Sequence, residues 1–147
     1  MRRTPRSAAG ARRTAVSSDR VDTLRALISA WNSRDLERIA SFFHPYFENH
    51  QQPLPPVIGL DAYLRHCEHW FSAFPDFRIE EITLFGQGDL VCLESRGGGT
   101  RVGTFFGIEP RGVEEIVAAC DVFEFRGDKI AVERGYWDLA SSLGSPR

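Results

Sequence analysis

The chain is almost without lysine: Lys129 stands alone against 17 arginines in 147 residues. That bias is typical of a high-GC bacterial genome and carries no chemistry. Cysteine is scarce as well. Cys67, Cys92 and Cys120 form no CxxC pair and no Cys/His cluster of zinc spacing, which excludes the common structural zinc sites. Each lies in an apolar context, so buried free thiols in a reducing compartment, the bacterial cytoplasm, are expected. No apolar run approaches the roughly 18 residues of a membrane span, so a soluble protein with no membrane partner is expected. Acids are missing from residues 1–18, which hold Arg2, Arg3, Arg6, Arg12 and Arg13. The net charge of −2 therefore hides an acidic remainder, which argues against nucleic acid as the main partner.

A chain of this length suits one domain. Residues 1–17 read as a basic disordered tail and 18–147 as a single domain. The tail has other readings: an RNA- or membrane-binding arm, or a transit peptide, being rich in Arg, Ser and Ala. Beyond it, Ser17 or Ser18 can cap a first helix whose Val21, Leu24, Leu27, Ile28 and Trp31 share one face. Leu36, Ile39, Ala40 and Phe43 mark a shorter helix, ended by His44-Pro45. Residues 46–50 read as a short strand, followed by a stiff loop at Pro53, Pro55 and Pro56. Asp61 is placed to cap a third helix with Leu64, Cys67, Phe71 and Phe74 on its buried face.

The rest reads as long antiparallel strand. Residues 77–86 alternate but slip at Glu80-Glu81, which predicts a bulge. Residues 90–96 and 100–107 flank Gly97-Gly98-Gly99 as a hairpin. Residues 114–126 and 129–138 flank Gly127-Asp128 as another. Helices early and strands late predict an α+β fold, its curved sheet wrapped on helices around a hollow.

The last hairpin, CDVFEFRGDKIAVERGYWD, sets Asp121 and Glu133 among Val122, Phe123, Phe125, Ile130, Val132 and Trp137. A carboxylate on a buried strand face costs several kcal/mol unless paired or protonated. Asp121 either pairs with an arginine or backbone donors, or projects into a cavity. Glu133 either faces water or does the same.

The element order, with AFPDFRIEEI at 73–82, GTRVGTFFGIEPRG at 99–112 and FRGDKIAVERGYWDLASSLG at 125–144, resembles the SnoaL-like polyketide cyclases. These belong to the nuclear-transport-factor-like superfamily of cone-shaped α+β domains. The resemblance implies three helices on a strongly curved, mainly antiparallel sheet that encloses an apolar pocket. It implies that Asp121 lies opposite Gly135 and Phe123 opposite Glu133 on the pocket face, with Trp137, Thr104, Phe106 and Glu94. Glu94 has a plainer reading as the partner of Arg96 or Arg101. Arg101 and Arg111 stand where the second motif commonly has His and Thr.

The resemblance departs at the chemistry. The cyclases' acid–base His falls on Asp121, and their Asp on Gly135, which has no side chain. Limonene epoxide hydrolase, a relative, activates water with groups that fall on Val102, Thr104 and Gly135, so its set is missing; Asn49 and Pro53-Leu54-Pro55-Pro56 do match. The ketosteroid isomerases match CDVFEF, where the aligned Asp121 would stay protonated, a behaviour long used to illustrate acid tuning. On this reading Asp121 is the acid or oxyanion donor, Glu133 the base and His50 a competing base. Asn49 orients a substrate oxygen; Trp31, Trp137, Phe106 and Phe123 shape the pocket. His66 and His69 have a spacing that can hold a metal, but no third ligand is evident. No cofactor and no metal are implied. The expected function is a cyclase or isomerase for a small hydrophobic, polyketide-derived metabolite. The alternatives are a non-catalytic ligand-binding domain, a protein-interaction module and an epoxide hydrolase with a different acid set. A homodimer joined through the sheet's convex face is expected.

Overall fold

The computed structural model describes residues 8–138 and residue 140, with side chains from residue 18 onward. Residues 1–7 of the basic tail lie outside the described residues. Helix α1 spans Ala8–Ser33, α2 Leu36–Ser41 and α3 Leu60–Ala73; the strands are β1 Phe43–Gln52, β2 Val57–Ile58, β3 Arg78–Gln87, β4 Leu90–Thr100, β5 Glu114–Arg126 and β6 Lys129–Trp137. The six strands form one sheet in the order β2-β1-β6-β5-β4-β3, antiparallel except where β1 runs parallel to β6. This is the expected α+β architecture, three helices against a strongly bent, unclosed sheet.

Helix α1 starts earlier than a cap at Ser17 or Ser18 predicts. It stops where Arg34 turns to φ 59°, with Arg34 N–H on Trp31 O and Asp35 N–H on Ala30 O, a Schellman end built without glycine. Asp35 then caps α2 by accepting from Arg38 N–H. Near the same end, the Asn32 amide donates to Ile79 O at 2.9 Å and accepts from Ile79 N–H at 2.8 Å. That tie fixes α1 to the outer strand β3. Helix α3 is capped at Gly59, with Asp61 in its first turn rather than at its cap.

Leu24, Leu27 and Ala30 of α1 meet Tyr63 and Cys67 of α3 over Val91, Leu93, Phe123, Phe125 and Ile130 of the sheet. The apolar stripes of both helices thus cover the concave face, and burial of such side chains at about 1.5–3 kcal/mol each is the main force that holds the layers together. Cys67 is buried, whereas Cys92 and Cys120 are half-buried on the convex face, Sγ to Sγ 3.7 Å.

Three further sequence expectations change. The bulge in β3 falls between Glu81 and Thr83, one step past Glu80-Glu81. Gly97-Gly98-Gly99 is strand, not turn: β4 runs straight through it, paired with β5 from Leu90 to Thr100. These glycines serve close approach, since a Cβ at Gly99 would stand 2.9 Å from the Phe77 backbone and one at Gly97 would overlap the Phe77 ring. Residues 101–113 are consequently a loop. Arg101, buried, anchors it by donating to Glu115 Oε1 at 2.6 and 3.1 Å and to Ile108 O at 2.9 Å.

Candidate active site

Between the helices and the concave face lies a mainly apolar cavity of about 190 Å³. Its shape follows from local sequence. The turn at Gly127-Asp128 pairs Arg126 with Lys129 and Phe125 with Ile130, after which the register slips and Glu124 faces Val132. Ala131 is the extra residue. Without it, alternation from the inward Ile130 would turn Glu133 outward. With it, Phe123 opposes Glu133 and Asp121 opposes Gly135, so both acids face the cavity.

Both acids are buried. Asn49 Nδ2 donates to Glu133 Oε2 at 2.9 Å. Gln51 Nε2 donates to Glu133 Oε1 at 3.0 Å and to Asp121 Oδ1 at 3.2 Å. Burial pushes the Asp121 carboxyl up to about 6, against the pull of the Gln51 amide. Glu133 is driven well above the usual carboxyl range, first by burial and then by the neighbouring Asp121 charge. Burial and mutual repulsion thus favour a pair that holds one proton between its two carboxyls near neutral pH.

The cavity wall is aromatic. Trp31, Trp70, Phe77, Phe106, Phe123 and Trp137 line it. Phe106 reaches it from the loop at φ 50°. Tyr63, buried beside Cys67 and within reach of the Glu133 charge, keeps its phenol proton because burial raises it. The Cys67 thiol is likewise pushed up to about 12 by burial. His66 lines the cavity and accepts from Trp70 Nε1 at 3.1 Å. That bond leaves Nδ1 as the protonated nitrogen of a neutral ring, whose proton affinity burial lowers. His69 is exposed and stacks on Phe105 instead. Among the described residues, no group of three His, Cys, Asp or Glu side chains is placed to hold a metal ion.

Asp121, Glu133, Asn49, Trp31, Phe106, Phe123 and Trp137 therefore converge on the cavity. Three residues expected there do not. His50 alternates away from Asn49 and Gln51 and bonds Glu48 at 2.9 Å. Glu94 opposes Cys120, next to Asp121 but on the other face, and accepts from Thr83 Oγ1 at 2.9 Å; neither Arg96 nor Arg101 is its partner in that bond. Thr104 belongs to the loop, exposed, and donates to Glu109 at 2.8 Å.

Gln51 is the group that sequence reasoning missed. A strand ended at His50 leaves it in a loop. In the structure β1 continues to Gln52 and runs parallel to β6, which sets Gln51 beside Gly135. A Cβ at Gly135 would overlap the Gln51 amide. The available signal was the alternation Phe47, Asn49, Gln51 in FENHQQ.

The fold is shared with solved structures. A candidate SnoaL-like polyketide cyclase from Jannaschia sp. CCS1 is 20% identical, with TM-score 0.81 over 97% of this chain and 96% of its own. IdmH, a candidate polyketide cyclase from Streptomyces antibioticus, is 24% identical, with TM-score 0.71 over 84% and 94%. An LEH-like epoxide hydrolase from M. tuberculosis is 13% identical, with TM-score 0.71 over 85% and 86%. No curated protein matches the chain. The family profile described as SnoaL-like polyketide cyclase matches residues 21–144, and the chain belongs to that family.

Proposed function

We propose that this protein is a cyclase or isomerase that needs no cofactor and acts on a small hydrophobic, polyketide-derived ketone. The observation that carries the reading is a pair of amide-bridged carboxyls in a mainly apolar cavity. The ionised carboxyl of the Asp121–Glu133 pair accepts a proton from the carbon next to the substrate carbonyl, while the protonated one donates its proton to the carbonyl oxygen. The enol so formed attacks a second carbonyl, or is reprotonated at another carbon. In this mainly apolar cavity both transfers gain from the fixed dipoles of Asn49 and Gln51. The neighbours named as cyclases favour ring closure or isomerisation by analogy of fold.

A non-catalytic binding domain is the second reading, favoured by the absent side chain at Gly135. Turnover of a panel of polyketide ketones and epoxides separates the two. Product formation that falls at least ~100-fold in both Asp121→Asn and Glu133→Gln supports the enzyme. Retention of ligand with no turnover by the parent supports the binding domain, and turnover of epoxides alone supports hydrolysis. We further propose a homodimer through the convex face, where Phe85, Ile116 and Tyr136 are exposed.

A further inference from the structure

Gly135 and Gln51 form one device. β1 and β6 are parallel neighbours with Gln51 at the level of Gly135, and Gly135 opposes Asp121 on the other side. The Gln51 side chain lies across the glycine, in the volume that any Cβ there would claim. From that seat one nitrogen stands 3.0 Å from Glu133 and 3.2 Å from Asp121. We propose that Gln51 is the positioning residue of the carboxyl pair. Seated over Gly135, its amide donates to both carboxyls and holds them as a pair sharing a single proton.

The physical argument is one of opposed demands. Two carboxyls in an apolar cavity resist becoming anions, and burial alone would leave both protonated and no base in the site. Hydrogen bonds to a charged acceptor are worth more than those to a neutral one. An N–H directed at each carboxyl therefore favours loss of the first proton. Once one anion is present, its charge holds the second proton in place. Asn49 reaches Glu133 only, so the bridge to Asp121 depends on Gln51. The other titratable groups around the pair are Tyr63 and Cys67 on α3, which interact with Glu133, His66 on the cavity wall and Cys92 behind Asp121. Burial keeps the Tyr63 phenol, the Cys67 thiol and the His66 ring neutral near pH 7, and it raises the Cys92 thiol to about 11. None of them supplies a positive charge that could replace the amide. The bearing on catalysis rests on the acid–base function proposed above; the proton sharing does not.

The test is a carboxyl-carbon NMR titration of full-length protein labelled in Asp and Glu, from pH 4 to 9. The two signals are assigned with Asp121→Asn and Glu133→Gln. In the parent one proton is retained at pH 7. In Gln51→Met, which keeps length and removes the amide, loss of the first proton is expected at least about one pH unit higher. Gly135→Ala should shift it the same way, because its methyl expels the amide. A Gln51→Met titration that overlays the parent overturns the proposal, and decides alone if Gly135→Ala does not fold. A denaturation cycle checks the seat. Gly135→Ala should destabilise the parent, because the displaced amide gives up its bonds to two buried carboxyls, and the Gln51→Ala background less; equal losses in both backgrounds overturn it. A protein that titrates as expected yet converts no ketone or epoxide keeps this inference and loses the enzymatic function.

Discussion

At the scale of single residues, the site is a contest between burial and hydrogen bonding, and Asp121 makes it measurable. Its carboxyl is raised to about 6 in the fold, against about 3.9 in an unfolded chain. The proton is therefore bound more tightly by the folded state. The stability it contributes is complete below pH ~4 and is lost as the pH rises through about 6. Asp121→Asn has no such loss. Urea unfolding of parent and variant from pH 4 to 7 should show the variant gaining up to roughly 3 kcal/mol relative to the parent across that window. A flat difference would mean that the carboxyl is as comfortable inside as in water. Asp121 and Glu133 were legible in the sequence because an acid in a Val/Phe/Ile strand has few plain explanations. Gln51 was not, because an uncharged amide beside a proline-rich loop looks like surface. His50 misled for the opposite reason. A histidine invites chemistry, but its side chain points away from the cavity.

At the scale of elements, register decides what the acids can do. The helices and most long strands were readable from periodicity and turn residues, whereas the pairing of Asp121 with Gly135 was legible only through the family resemblance, since an unbulged hairpin on Gly127-Asp128 would set Asp121 opposite Arg134. The bulge at Ala131 was not legible, since small apolar residues leave no mark of the slip. In the sequence the glycine run reads as a turn because three glycines usually punctuate a chain. Here they permit β4 to pass close beneath Phe77, and with β4 extended, Thr104 falls into a loop. The prediction is graded. Gly99→Ala should cost about 1–3 kcal/mol, because its methyl meets backbone that cannot move aside. Gly98→Ala should cost less than about 1 kcal/mol, because its nearest neighbour would lie 3.5 Å away. Equal midpoints of chemical denaturation for the two variants would return the run to the role of a turn.

At the scale of the whole molecule, the sheet has a cavity side and an outer side, and the outer side exposes large apolar side chains among its charges. Phe85 is 58%, Ile116 53% and Tyr136 54% exposed. A closed two-fold pairing would cover these residues. Light scattering should give a dimeric mass for the parent and a monomeric mass for Ile116→Lys/Tyr136→Lys with unchanged circular dichroism. A monomeric parent would refute the dimer.

The same sheet also has an edge, and there the bond between Asn32 and Ile79 takes on another meaning. β3 is one of the sheet's two outermost strands, and an outer strand offers unpaired peptide groups to any extended chain that drifts by. The primary amide of Asn32 presents one donor and one acceptor to Ile79, the pair that a neighbouring strand would present. Arg34 occupies Phe77 O just before it. The helix end thus mimics a further strand one residue long, and the start of β3 is closed to the edge-to-edge growth that seeds fibrils.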